Sequence, residues 1–202
     1  MHNPYQAPVA DLDVPAPEDG NAIPNVGGFW LRVGAKIIDL LVMSPIIGLT
    51  YWLSSLSRSF YLWSVIPSVL FALFYSVYLV RRYGGTPGKL VLKLRVQMKD
   101  HSPVTFMAAL IREAPMMLMG AASSFGLGLA ALAMDDAAYH AYGFFERSTV
   151  LAASGPGWVS AISLLINVWT WVGVIVMLVN KRRRAVHDFL AGTVVVNVSK
   201  TL

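Results

Sequence analysis

Cysteine is absent from the 202 residues, which excludes disulfides and cysteine-ligated metals and leaves the redox compartment open. Charge is scarce as well: 13% of residues are Asp, Glu, Lys or Arg, about half the share of a soluble domain. Hydrophobic residues make up 56% and mean hydropathy is +0.58, so the chain reads as an integral membrane protein. Catalytic strings are missing too. There is no Walker-type glycine loop, no H-E-x-x-H and no G-x-S-x-G, and His187-Asp188 lacks the upstream histidine and distant aspartate of a metal phosphohydrolase. These absences argue against an enzyme and call for no cofactor. The net charge of +5 flanks apolar runs instead of forming a soluble patch, so it argues for membrane topology and against nucleic acid.

What is present is a series of apolar runs. Residues 1–26 are rich in Pro, Asp and Asn, cannot bury enough surface to offset ordering, and are expected to form a flexible cytoplasmic tail. They also lack the apolar core of a signal peptide, so the first span is expected to direct insertion. Residues 27–202 then hold runs of about the length that crosses a bilayer, over 33–53, 59–80, 114–134 and 157–180. The expected fold is an all-α membrane protein of four transmembrane helices. Fourteen of the sixteen Lys and Arg residues lie on the side of the two termini and the 81–112 loop, against Arg58 and Arg147 on the other. That bias predicts cytoplasmic termini, an inner-membrane location in a bacterium, and attraction of anionic lipids to the basic face.

Outside the spans, Leu90, Leu92, Leu94 and Val96 alternate with Lys93 and Arg95, and Thr193–Val198 alternates again. Two short strands are predicted to pair as a small cytoplasmic sheet. Gly84, Gly85, Pro87 and Gly88 mark a sharp turn before the first of them. Gly120, Ser124 and Gly128 form a smooth stripe suited to close helix packing. The 135–156 loop carries Asp135, Asp136, His140 and Glu146, whose spacing fits no metal motif, so no metal site is expected there. In the fourth span, Asn167 and Thr170 share a face near mid-membrane.

Charge inside an apolar run singles out the first span. Arg32, Lys36 and Asp39 lie on one stripe of a helix at the entrance to residues 40–53. Charged groups there persist by facing the bundle interior and pairing, so Asp39 demands a partner. After the last span, NKRRRAVHDFLAGTVVVNV places Asp188 in a short segment able to fold back along the interface.

With Arg32 and Asp39, Asp188 completes an ordered arginine and two aspartates, and at this point the chain resembles the RDD family of small bacterial membrane proteins over residues 27–198. The likeness rests on R-x-x-A-x-x-I-D at Arg32–Asp39, G-G-T-P-G-K at Gly84–Lys89, L-R-V at Leu94–Val96, Arg112, and H-D-x-x-A-G-T-x-V-V at His187–Val196. His101 stands where family members often have glycine. The resemblance implies a transporter exchanging a small cation such as Na⁺ for protons. On that reading Asp39 carries ion and proton beside Lys36, Asp188 gates cytoplasmic access, Arg32 is the competing internal cation, and Arg112, His187 and Asn167 support them. Four helices leave little room for alternating access, so a transporter would work as a homodimer. The rival reading is a non-transporting scaffold or accessory subunit, in which Arg32, Lys36, Asp39 and Asp188 form a permanent ion-pair network.

Overall fold

In the computed structural model, residues 26–200 are described, so the tail expected over 1–26 lies outside the described residues except for Val26. Among the described residues, four helical stretches are long and apolar enough to cross a membrane: Phe29–Leu56, Phe60–Val91, Phe106–Ala133 and Gly157–Val179. The first is α1, Phe29–Leu56. The second is composite. It runs through α2, Phe60–Trp63, α3, Val65–Ala72, a π-helical segment over Leu73–Tyr78 and α4, Leu79–Tyr83. A tight turn at Gly84 then leads into the short α5, Pro87–Val91. The third and fourth long helices are α6, Phe106–Ala133, and α9, Gly157–Val179. Large apolar side chains such as Leu41, Leu118, Leu164 and Trp171 point outward, the pattern of helices that meet lipid.

At one end of the bundle sits a cap. β1, Leu94–Met98, pairs antiparallel with β2, Thr193–Asn197, in the register Val96 to Val195. Val26 bridges Val196 and the Gly27 amide donates to the Val195 carbonyl at 2.9 Å, so the entry to α1 is stitched to the same sheet. The β2 residues are buried throughout, which explains a run of three consecutive valines where a half-exposed strand would alternate. Leu94, Val96 and Val195 pack with Ala35, Val77, Val80 and Ala109 into the main core. The turn between β1 and α6 holds His101 at φ 64°, a left-handed conformation that glycine adopts without cost.

The first strand starts later than its alternation suggests. Lys89 and Val91 belong to α5, because Pro87 at a helix N-terminus pre-sets the helical φ and Leu90, Leu92 and Leu94 satisfy either period locally. The 135–156 segment, read from sequence as an outer loop, is folded into α7, Asp136–Ala141, and α8, Phe144–Ser154. Tyr139 and Leu151, both fully buried, pack on Ala130 and Ala131 of α6. The Tyr139 hydroxyl donates to the Ser54 carbonyl at 2.6 Å, and the Arg147 guanidinium lies 4.6 Å over its ring. Asp135 caps α7 by accepting from the amides of Ala137 and Ala138, while Asp136 pairs with Arg58 at 3.4 Å. The stripe on α6 divides by role: a side chain at Gly128 would collide with Leu62 of α2, whereas Gly120 has nothing within 4 Å. Gly126, outside the stripe, makes the close approach to Trp158 and Val159 of α9.

Candidate functional site

Two buried carboxylates hold the cap to the bundle, and each has its own set of donors. Asp188 lies in α10, Val186–Leu190, which follows a turn through Lys181–Arg184 and folds back against α6 and α9. It is fully buried. Arg32 Nη1 of α1 donates to its Oδ2 at 3.1 Å, and Arg112 Nη1 of α6 donates to Oδ1. The Ala185 amide donates to Oδ2 at 3.0 Å and the Thr193 hydroxyl to Oδ1 at 3.2 Å. One side chain thus ties α1, α6, α10 and β2 together. Burial alone would raise its proton affinity, but Arg112 and Arg32, with the Ala185 amide, hold the carboxyl well below the usual carboxylate range. It is an anion at any physiological pH.

The guanidiniums are placed by further acceptors. Arg32 Nε donates to the Gly27 carbonyl at 3.1 Å. Arg112 Nη1 also reaches the Thr193 hydroxyl oxygen at 3.1 Å, and its Nη2 lies 3.1 Å from His187 Nε2. Since an arginine only donates, that imidazole nitrogen is the acceptor and His187 is neutral. Burial first, then the nearby Arg112 charge, push the His187 pKa down to about 3. Arg184 adds Nε to the Thr193 carbonyl at 2.9 Å and Nη2 to the Asp188 carbonyl at 2.7 Å, locking α10 to β2.

Asp39 forms the second node. The expected ionic partners are not at its carboxylate: Arg32 is engaged with Asp188, and Lys36 is exposed on α1 with no ion pair to Asp39 among the described residues. Instead Asp39 Oδ1 accepts from the Tyr75 hydroxyl at 2.7 Å and from the Gly88 amide at 2.8 Å. Its Oδ2 accepts from the Thr86 hydroxyl at 2.7 Å. Tyr75 belongs to the π-helical segment, and Thr86 and Gly88 open α5. The G-G-T-P-G-K turn therefore presents its donors to a carboxylate of the same chain. A Cβ at Gly88 would collide with the Ala35 carbonyl oxygen and stand 2.9 Å from Asp39 Cγ, so only glycine lets α5 lie this close to α1.

Asn167 is in neither set. It is exposed on α9 and its amide donates to the Ser163 carbonyl one turn back at 2.8 Å, which satisfies it within its own helix. Thr170 does the same with Ile166 at 2.8 Å. A residue that sequence reasoning passed over as a span boundary is better placed. Glu113 of α6, beside Ser76 and near the charges of Lys36, Lys89 and Arg112, lines a groove of about 320 Å³ between α3 and α6 with Ser68, Met116, Gly120 and Ser124. Its signal was a carboxylate one position from Arg112, on a different face of the same helix.

Four apolar crossings, a small docked sheet and two buried carboxylate nodes define a compactly capped polytopic membrane protein. Residues 26–192 match the RDD family, and the chain belongs to that family. It is 31% identical over 109 residues to the "Uncharacterized protein YckC" of Bacillus subtilis (strain 168), covering 52% of this chain and 67% of that protein. No solved structure matches it.

Proposed function

We propose that this protein is a non-catalytic membrane scaffold or accessory subunit, with its termini and basic cap on the cytoplasmic side of a bacterial inner membrane, and that the arginine and aspartate network is structural. The observation that carries the reading is the saturation of both carboxylates by fixed protein donors. Asp188 accepts from Arg32, Arg112, Ala185 and Thr193, and Asp39 from Tyr75, Thr86 and Gly88. A carboxylate that alternates between a proton and Na⁺ must release one set of partners in each cycle, and here that release would detach β2 or α5 from the bundle. The excess of Lys and Arg on the side of the termini supports the orientation.

One observation favours a second reading, cation and proton exchange by a homodimer. Glu113 faces a groove lined by the hydroxyl-bearing Ser68 and Ser124 and is not part of either clamp. The test is reconstitution of the full chain in liposomes loaded with a pH dye, followed by a Na⁺ pulse. The scaffold reading expects no Na⁺-dependent proton flux from protein shown to be folded and inserted. Flux that disappears in Glu113→Gln would support the exchanger with Glu113 as carrier. Flux lost in a folded Asp39→Asn variant overturns the structural assignment of the network.

A further inference from the structure

The end of α9, the turn after it and Phe189 of α10 border an open groove of about 740 Å³, within the range of roughly 300–1,000 Å³ typical of small-molecule sites. Ile175, Val176 and Val179 form one wall, Phe189 the other, and Lys181 and Arg182 stand at the rim with Arg184 behind them. Among the described residues no acidic side chain lines it, and the neighbouring Asp188 is turned away, fully buried in its own clamp. We infer that this groove is a binding site for one anionic phospholipid, its phosphodiester held by Lys181 and Arg182 and an acyl chain laid along Val179 and Ile175.

Three features argue for a lipid and against other occupants. The walls are apolar and outward-facing, with Val179 81% and Ile175 57% exposed, and they continue the face that α9 turns to the bilayer. The cations begin at Lys181, directly after the last apolar turn, at the depth where headgroups lie. Arg184 is fixed in place by the carbonyls of Thr193 and Asp188 and by stacking 4.1 Å above Phe189, so positive charge at the back of the groove is ordered before any ligand arrives. Lys181 is exposed and is available to a phosphate. A groove with an apolar floor running into the membrane and a cationic rim at its surface matches the two halves of an anionic lipid. A peptide or a free phosphate would use only one half.

The site differs from diffuse attraction between basic loops and an acidic membrane, and the experiment separates them. The full-length protein is placed in nanodiscs of phosphatidylcholine alone or of phosphatidylcholine with phosphatidylglycerol, and lipid retained after release is read by native mass spectrometry. The wild type is expected to retain phosphatidylglycerol in preference to phosphatidylcholine. K181Q/R182Q is expected to weaken that retention about twenty-five-fold, roughly fivefold for each cation near the headgroups. Val179→Trp, which fills the groove and keeps every charge, is expected to abolish retention, and it decides the question if the double variant misfolds. R81Q/R82Q removes two cations elsewhere at the same end and is expected to leave retention within a fewfold of wild type. The inference is overturned if K181Q/R182Q or Val179→Trp, shown folded by gel filtration, retains phosphatidylglycerol as the wild type does. It is also overturned if R81Q/R82Q loses as much, if inorganic phosphate displaces the lipid, or if a second copy of the chain occupies this face instead.

Discussion

Replacing Asp188 with asparagine removes one negative charge and nothing else from the centre of the cap. The side chain it alters is fully buried, and its two cationic partners are 11% and 8% exposed at Arg32 and Arg112, so solvent does little to screen the loss. The asparagine oxygen still accepts from the Ala185 amide or the Thr193 hydroxyl, but its amide group points donors at a guanidinium. One guanidinium loses its acceptor outright and the other keeps only a neutral oxygen, so charge-assisted hydrogen bonds of about 1.5–3 kcal/mol each are lost or weakened, and two cations remain buried without an anion. The expected cost is about 3–5 kcal/mol, the range for breaking a buried pair from one side. In a chain of this length that lowers the melting temperature by on the order of 10 °C. The assay is thermal unfolding in detergent followed by tryptophan fluorescence, paired with hydrogen exchange at the β1 and β2 amides, which should lose protection before the long helices do. Arg32→Met in the Asp188→Asn background should cost less than the sum of the two single changes, by about 0.5–3 kcal/mol, because the second change removes one of the stranded cations. Asp188→Asn within about 0.5 kcal/mol of wild type, or strict additivity in the double variant, would refute the clamp.

The other predictions use the same unfolding assay. Asp39→Asn should cost about 1.5–3 kcal/mol, since its amide end cannot accept from the Tyr75 or Thr86 hydroxyls it replaces an oxygen for; an unchanged midpoint would show that these contacts are not holding α5. Gly88→Ala should cost about 1–3 kcal/mol by forcing α5 off α1, while Gly173→Ala, inside α9 with nothing within 4 Å, should not destabilise; equal effects would dismiss the close approach. Stability should fall as pH drops from about 6.5, the ordinary histidine pKa, towards about 3, the pKa His187 has in the folded protein, because over that window the unfolded chain takes up a proton that the folded chain refuses. At about pH 5.5 the loss is roughly 1 kcal/mol after discounting for the part-exposed ring, and His187→Gln should flatten that slope; a slope unchanged by the substitution counts against the neutral, accepting imidazole.

The four long apolar helices were legible because apolar length is a property of composition along the chain. The Arg32 and Asp188 contact was legible from the order of charged residues relative to the spans, although they are 156 positions apart. Arg112, expected only as a supporting residue, is a full partner of Asp188, and nothing in its local sequence ranks it above the other basic residues. Asp39 was harder to place, since its partners are two hydroxyls and a backbone amide, and a backbone donor has no letter of its own. The short helices α7 and α8 were hidden for a related reason: segments of 6 and 11 residues are marginal as isolated helices, and contacts such as Tyr139 with Ser54 are what secure them. Asn167, expected to support the network, stands apart from it because its own helix satisfies the amide.

The pairing of β1 with β2 joins positions roughly a hundred residues apart, a long loop to close for so small a sheet. During synthesis, the first strand leaves the ribosome with its edge bare and waits for two further membrane crossings before its mate exists. Arg32 and Arg112 likewise wait for their anion until Asp188 is made. The cap therefore cannot close until both strands and the long helices α6 and α9 between them have been made.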